Sequence, residues 1–240
     1  MTRSAVFMVV LLTLSTVVPL APPAQDTTLL AWARREYGIG VVRYADMYRY
    51  ETRDVLYSSP VLTADTVAVL DQRELCFRHG PHCVFSYKRM IEFDYEIPGW
   101  AILSLTRDWS WAEVTLNPWT PDSAPTAWVY LARDSVSVVF WRDLLPTKWL
   151  FFPLLENARF YARPDRSAPV ALRYDTLPNP PRADLIMRPL RTDGRWMQVE
   201  VFSPNPLCKW PRPEVTPDTA WIEYLTSHDR PRVFYYTRGC

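Results

Sequence analysis

What most limits the fold open to this chain is that it repeats itself. The string RDWSWAEVTLNP at Arg107–Pro118 returns as TDGRWMQVEVFSP at Thr192–Pro204. TAWVYLARDSVSVVFW at Thr126–Trp141 returns as TAWIEYLTSHDRPRVFYY at Thr219–Tyr236. Upstream, VLYSSPVLTADTVAV at Val55–Val69 matches RFYARPDRSAPVAL at Arg159–Leu172 through an apolar-Tyr-x-x-Pro core. Matches recurring in one order define two like modules, the first over 44–146 and the second over 154–240. The apolar string LLPTKWLFFPLLEN joins them and predicts that they pack together instead of swinging freely.

Inside each module the apolar residues alternate with the period of a β-strand. Ala112, Val114 and Leu116 share one face, opposite Trp111, Glu113 and Thr115. In the second copy Met197, Val199 and Val201 oppose Trp196, Gln198 and Glu200. The next strand follows suit, with Trp128 and Tyr130 facing away from Val129 and Leu131, and Trp221 and Glu223 away from Ile222 and Tyr224. Trp111, Trp128, Trp196 and Trp221 therefore lie on the more polar side of their strands. Twenty-three prolines against six glycines mark rigid turns between short strands. The expected class is all-β.

The N-terminus reads MTRSAVFMVVLLTLSTVVPLAPPAQD: one cation, an apolar run, then small residues suited to cleavage near Ala24. That pattern predicts a signal peptide over 1–24, with an uncleaved membrane anchor as the alternative. Over 25–43 a short helix and linker are expected, because Asp26 or Thr27 can cap DTTLLAWARREYG and Gly38 can end it. The mature chain is expected in the periplasm or outside the cell, with no membrane insertion after cleavage. Lys and Arg total 27 against 26 for Asp and Glu, a balance that offers no field for nucleic acid.

Export bears on ELCFRHGPHC at Glu74–Cys83. In an oxidising compartment the four cysteines are most simply two disulfides, and Gly80-Pro81 turns the chain so that Cys76 and Cys83 can approach. Closing so short a loop contributes roughly 2–2.5 kcal/mol on the chain-entropy model. Cys208 and Cys240 would pair in turn, although four cysteines allow three connectivities. The rival reading is a zinc or copper site of Cys76, His79, His82 and Cys83. Four ligands from one short loop is poor geometry for a metal, and adjacent His82 and Cys83 tend to point apart. His228, in TSHDRPR, reads as a solvated turn residue.

The second module resembles the bacterial SH3-like domain family through YARP at Tyr161–Pro164, GRWMQV at Gly194–Val199 and AWIEYL at Ala220–Leu225. The first is similar more loosely, through YSSP, WSWAEV and AWVYLA. In YARP the Arg stands directly before the Pro, Ala127 and Ala220 replace the usual glycine before the second Trp, and proline-rich insertions replace glycine-rich turns. The resemblance implies two small SH3-like barrels in tandem, of about five strands each. It also implies a protein that binds peptidoglycan or a protein or peptide partner and does not catalyse. No cofactor follows from it.

Flat aromatic surface suits sugar rings and extended peptides. The candidate ligand residues are therefore Trp111, Trp128, Trp196 and Trp221, with Tyr57 and Tyr161 from the Y-x-x-P turns; the alternative for each is packing. Arg163 and Arg195 are candidates to meet a ligand carboxylate. Glu92, Asp94 and Glu96 share one face of a strand and read as solvated charge, not a glycosidase pair. No nucleophile elbow, Walker loop, dinucleotide fingerprint or zincin helix occurs in the sequence. The expectation is an exported binding protein; an envelope metal-binding protein and a purely structural envelope subunit are the alternatives.

Overall fold

The computed structural model describes residues 38–44, 55–71, 76–86, 90–94, 97–117, 125–133, 136–152, 159–168, 172, 185–207, 210–211 and 214–237. The expected signal peptide, the helix before Gly38, Glu96, Cys208 and Cys240 lie outside them. Thirteen strands occur among the described residues. In chain order they are β1 (Gly40–Tyr44), β2 (Val55–Tyr57), β3 (Thr66–Asp71), β4 (Cys76–His79), β5 (His82–Ser86), β6 (Ile91–Asp94) and β7 (Ile97–Leu105). There follow β8 (Trp111–Thr115), β9 (Thr126–Tyr130), β10 (Val136–Phe140), β11 (Ile186–Asp193), β12 (Trp196–Phe202) and β13 (Asp218–Glu223). Among the described residues one short helix, α1 (Trp141–Leu144), runs into a 3₁₀ turn at Leu145–Thr147. The chain is mostly β and its sheets are antiparallel.

Strands β1 to β10 make one sheet in the order β10-β1-β7-β8-β9-β2-β3-β4-β5, with β6 added on β7. Its ends, β10 and β5, do not meet, so the sheet is open. A second sheet, β11-β12-β13, is extended by a bridge between Tyr161 and Trp221. Where the family resemblance led to closed barrels of about five strands, the first module spreads its strands into one wide sheet. The β3, β4 and β5 meander lengthens it at one side. The last residues of the expected 25–43 linker form β1, which lies between β10 and β7.

The repeat is present in the hydrogen bonds themselves. On β8 and β9, Trp111 faces Tyr130 and Glu113 faces Trp128; on β12 and β13, Trp196 faces Glu223 and Gln198 faces Trp221. Both units bulge at a leucine in the preceding strand, Leu103 between Ile102 and Ser104 and Leu190 between Pro189 and Arg191. The Ser110 carbonyl accepts from Leu131 N at 2.8 Å, as that of Arg195 accepts from Tyr224 N at 3.1 Å. In the Y-x-x-P turns, Val61 N to Ser59 O and Asp165 N to Arg163 O are both 2.8 Å, while Ala64 N to Val61 O and Ala168 N to Asp165 O are both 3.0 Å.

Burial explains why the two units are fused. The central stretches of β1 and β7 are covered on both faces, so Val41–Val42 and Trp100–Ile102 run on without a polar alternate. Val42, Trp100 and Ile102 point into a core with Leu56, Val114 and Val129. Their neighbours Val41 and Ala101 point the other way, into a core shared with Trp141, Met187, Val199, Ile222 and Tyr224. A Cβ on Gly99 would lie 2.7 Å from the Val42 carbonyl oxygen, so only glycine lets β1 come this close. The junction packs as its apolar sequence predicts: Leu150 bridges to Met187 and Phe151 to Phe234. The Tyr235 hydroxyl donates to the Phe93 carbonyl across the two units.

Candidate functional site

The six candidate aromatics are gathered into two matching corners. Tyr57 meets Trp111 edge-on with centroids 5.3 Å apart at 86°, and Tyr161 meets Trp196 at 5.2 Å and 88°. Tyr57 lies opposite Trp128 in the sheet, just as Tyr161 bridges to Trp221. Each Y-x-x-P turn therefore seats its tyrosine on the hairpin tryptophan and hydrogen-bonds its backbone beside the following one. Alternation puts the four tryptophans on a polar face, and the strand registers set Trp128 across from Glu113 and Trp196 across from Glu223. That face is nonetheless covered: Tyr57, Trp111, Trp196 and Trp221 are all buried, and Trp128 and Tyr161 are half-buried. The Tyr57 hydroxyl also accepts from Arg133 Nη2 at 3.2 Å.

The corners differ in what completes them. In the first, Tyr130 packs on Trp111 with centroids 4.9 Å apart. In the second, the matching position is Glu223, whose side chain is only 7% exposed. Arg166 donates to it from Nε at 3.0 Å and from Nη2 at 2.9 Å, and Arg195 Nε lies 3.1 Å away. Arg232 Nε lies 3.7 Å off. A carboxylate this far from water is held by charge-assisted hydrogen bonds from the guanidiniums. Arg195, a candidate for a ligand carboxylate, thus meets one inside its own chain. Arg191 lies over the Trp221 ring at 5.2 Å and donates to Gln198 at 2.8 Å. Arg163 is exposed.

In the β4–β5 hairpin His79 lies opposite His82, Arg78 opposite Cys83 and Cys76 opposite Ser86. His79 Nδ1 is 3.2 Å from the Val67 carbonyl, which gives that nitrogen a partner within the fold. Among the described residues no three of His, Cys, Asp or Glu gather as a metal set. Asp94 pairs with Lys148 at 3.5 Å, Glu92 lies opposite Pro98 on β6, and His228 is exposed beside Ser227.

Sequence reasoning passed over the β7–β8 turn, Arg107–Ser110, where the indole of Trp109 stays 55% exposed. Asp108 organises this turn by accepting from Thr106 Oγ1 at 2.7 Å, Ser110 Oγ at 2.7 Å and Ser110 N at 3.3 Å. These bonds favour the ionised form and lower its pKa from 3.8 to about 2, led by the Thr106 hydroxyl. A depressed carboxylate contributes its stabilisation above the unfolded value and loses it as pH falls through the folded one. The turn should thus be fully braced at pH 5 and loosen between about pH 4 and pH 2. The Asp108 carboxyl resonance followed by NMR should titrate near 2; a midpoint at 3.8 would contradict the bracing.

Compared with known proteins, no family model matches the chain, and no curated protein or solved structure matches it.

Proposed function

We propose that this is an exported, non-catalytic binding protein that holds cell-wall peptidoglycan on two divergent SH3-like units. The observation that carries the reading is the indole surface left outside the packed corners. Trp109 is 55% and Trp210 95% exposed, in a chain that buries Trp100, Trp111, Trp141, Trp196 and Trp221. Exposed large aromatics on loops over a rigid β scaffold suit recognition of sugar rings, with an apolar face and an N–H donor in one group. The duplicated corner supports the two-unit part of the reading, since it joins the same three motif positions in both copies.

The wider reading places the mature chain beyond residue 24 in the periplasm or outside the cell, with disulfides Cys76–Cys83 and Cys208–Cys240. In support of disulfide bonding, no cysteine among the described residues is free. The test is co-sedimentation of the purified mature protein with purified sacculi. Retention at micromolar protein is expected. A folded protein left wholly in the supernatant would sink the reading and favour a protein-partner or structural role. Mass spectrometry without reductant, on the same sample, separates the metal alternative: four free thiols with bound zinc or copper would replace the disulfides.

A further inference from the structure

We infer that Trp109 is a sugar-stacking contact for the glycan strands of the wall polymer, an inference that rests on the peptidoglycan reading and narrows it. Two observations point there. Counting back from the corner tryptophan, Trp109 stands two places before Trp111 as Gly194 stands two before Trp196. Both residues take the left-handed backbone conformation, with φ of 61° for Trp109 and 55° for Gly194. Glycine adopts it freely, whereas a bulky side chain is strained there. The second unit places glycine at the left-handed position of its own, shorter turn, so the first bears at Trp109 a side-chain strain that glycine would relieve. Strain of this kind concentrates where a side chain contacts a ligand.

The indole is also not used to fill a core. It is 55% exposed and leans edge-on against Phe140 at 5.6 Å, and Arg142 covers that ring at 5.0 Å. Beside it in the chain lie Arg107 and Asp108, and at Phe140 lies Arg142 with its ion-pair partner Asp143; all four are exposed and their charges balance. A patch with no net field does not select a polyanion. A flat ring among balanced donors and acceptors fits a sugar, whose C–H face stacks on the indole while its hydroxyls meet charged side chains. The sugar rings of the glycan backbone are therefore the part that matches, not the peptides attached to it.

The test compares wild type with Trp109→Gly on two probes, intact sacculi and glycan strands stripped of peptide and coupled to beads, in salt that screens the strands' lactyl carboxylates and below both melting temperatures. Because glycine suits the left-handed position, the variant should melt within about 2 °C of wild type. Its retention on both probes should fall about tenfold or more, as for removal of an aromatic anchor. Equal retention of variant and wild type overturns the inference, as does wild type that sediments with sacculi but not with stripped glycan. Those results leave the peptidoglycan reading standing. Wild type retained by neither probe overturns that reading, and the inference with it.

Discussion

Trp141→Ala should lower stability by about 3–5 kcal/mol, the range for emptying a large buried aromatic site. For a chain of this length that corresponds to a melting temperature lower by roughly 6–20 °C. Trp141 is 1% exposed and opens α1, the helix that leaves β10 and leads into the second unit. Its ring lies in the core to which both units contribute, with Val41 and Ala101 on one side and Val199, Ile222 and Tyr224 on the other. The cavity would fall where no single unit can collapse to fill it. Wild type should unfold in one transition; the variant should show the two units parting, seen as non-coincident near-UV and far-UV melts. A loss below about 1 kcal/mol would mean that the junction does not hold the units together.

Glu223→Ala should cost about 2–3 kcal/mol. Removing one partner from a buried ion pair is worth more, about 3–5 kcal/mol. Here the groups left behind are arginines whose side chains are 57%, 40% and 35% exposed, so water relieves part of the penalty. Glu223 ties three chain segments at one point: the Y-x-x-P turn through Arg166, the β11–β12 turn through Arg195, and the C-terminal stretch through Arg232. Urea denaturation should show a lower midpoint at unchanged slope. Glu223→Gln, which keeps an acceptor oxygen, should lose about half as much. A double-mutant cycle with Arg166→Ala should give a coupling of at least about 1 kcal/mol, and additive losses would deny the pair a structural role.

Much of the architecture was legible because a strand repeats every two residues and a duplicated sequence supplies its own control. Trp111 with Glu113, and Trp196 with Gln198, were assigned to one face from alternation alone, and the strand registers agree. The candidate site was legible only in part. Alternation shows which side of a strand a ring occupies, not what stands over it. The tyrosines that cap the hairpin tryptophans come from segments far away in the chain, as Tyr57 does for Trp111. Trp109 was findable: the aligned strings set RDWSW against TDGRW, and a tryptophan opposite a turn glycine signals a side chain placed at a conformational cost. Glu223 was not, since its three arginine partners are scattered through the sequence.

The amino-acid sequence by itself determined the β class, the duplication, the facing of the residues in β8, β9, β12 and β13, and the packing of the junction. All of these follow from local periodicity and from comparing one half of the chain with the other. Tertiary structure decided that the first unit opens into a wide sheet and that β1 and β7 serve two cores at once. It also decided which indoles stay wet. Those outcomes depend on contacts between residues far apart in the chain, and no local pattern encodes the partner that will cover a given face.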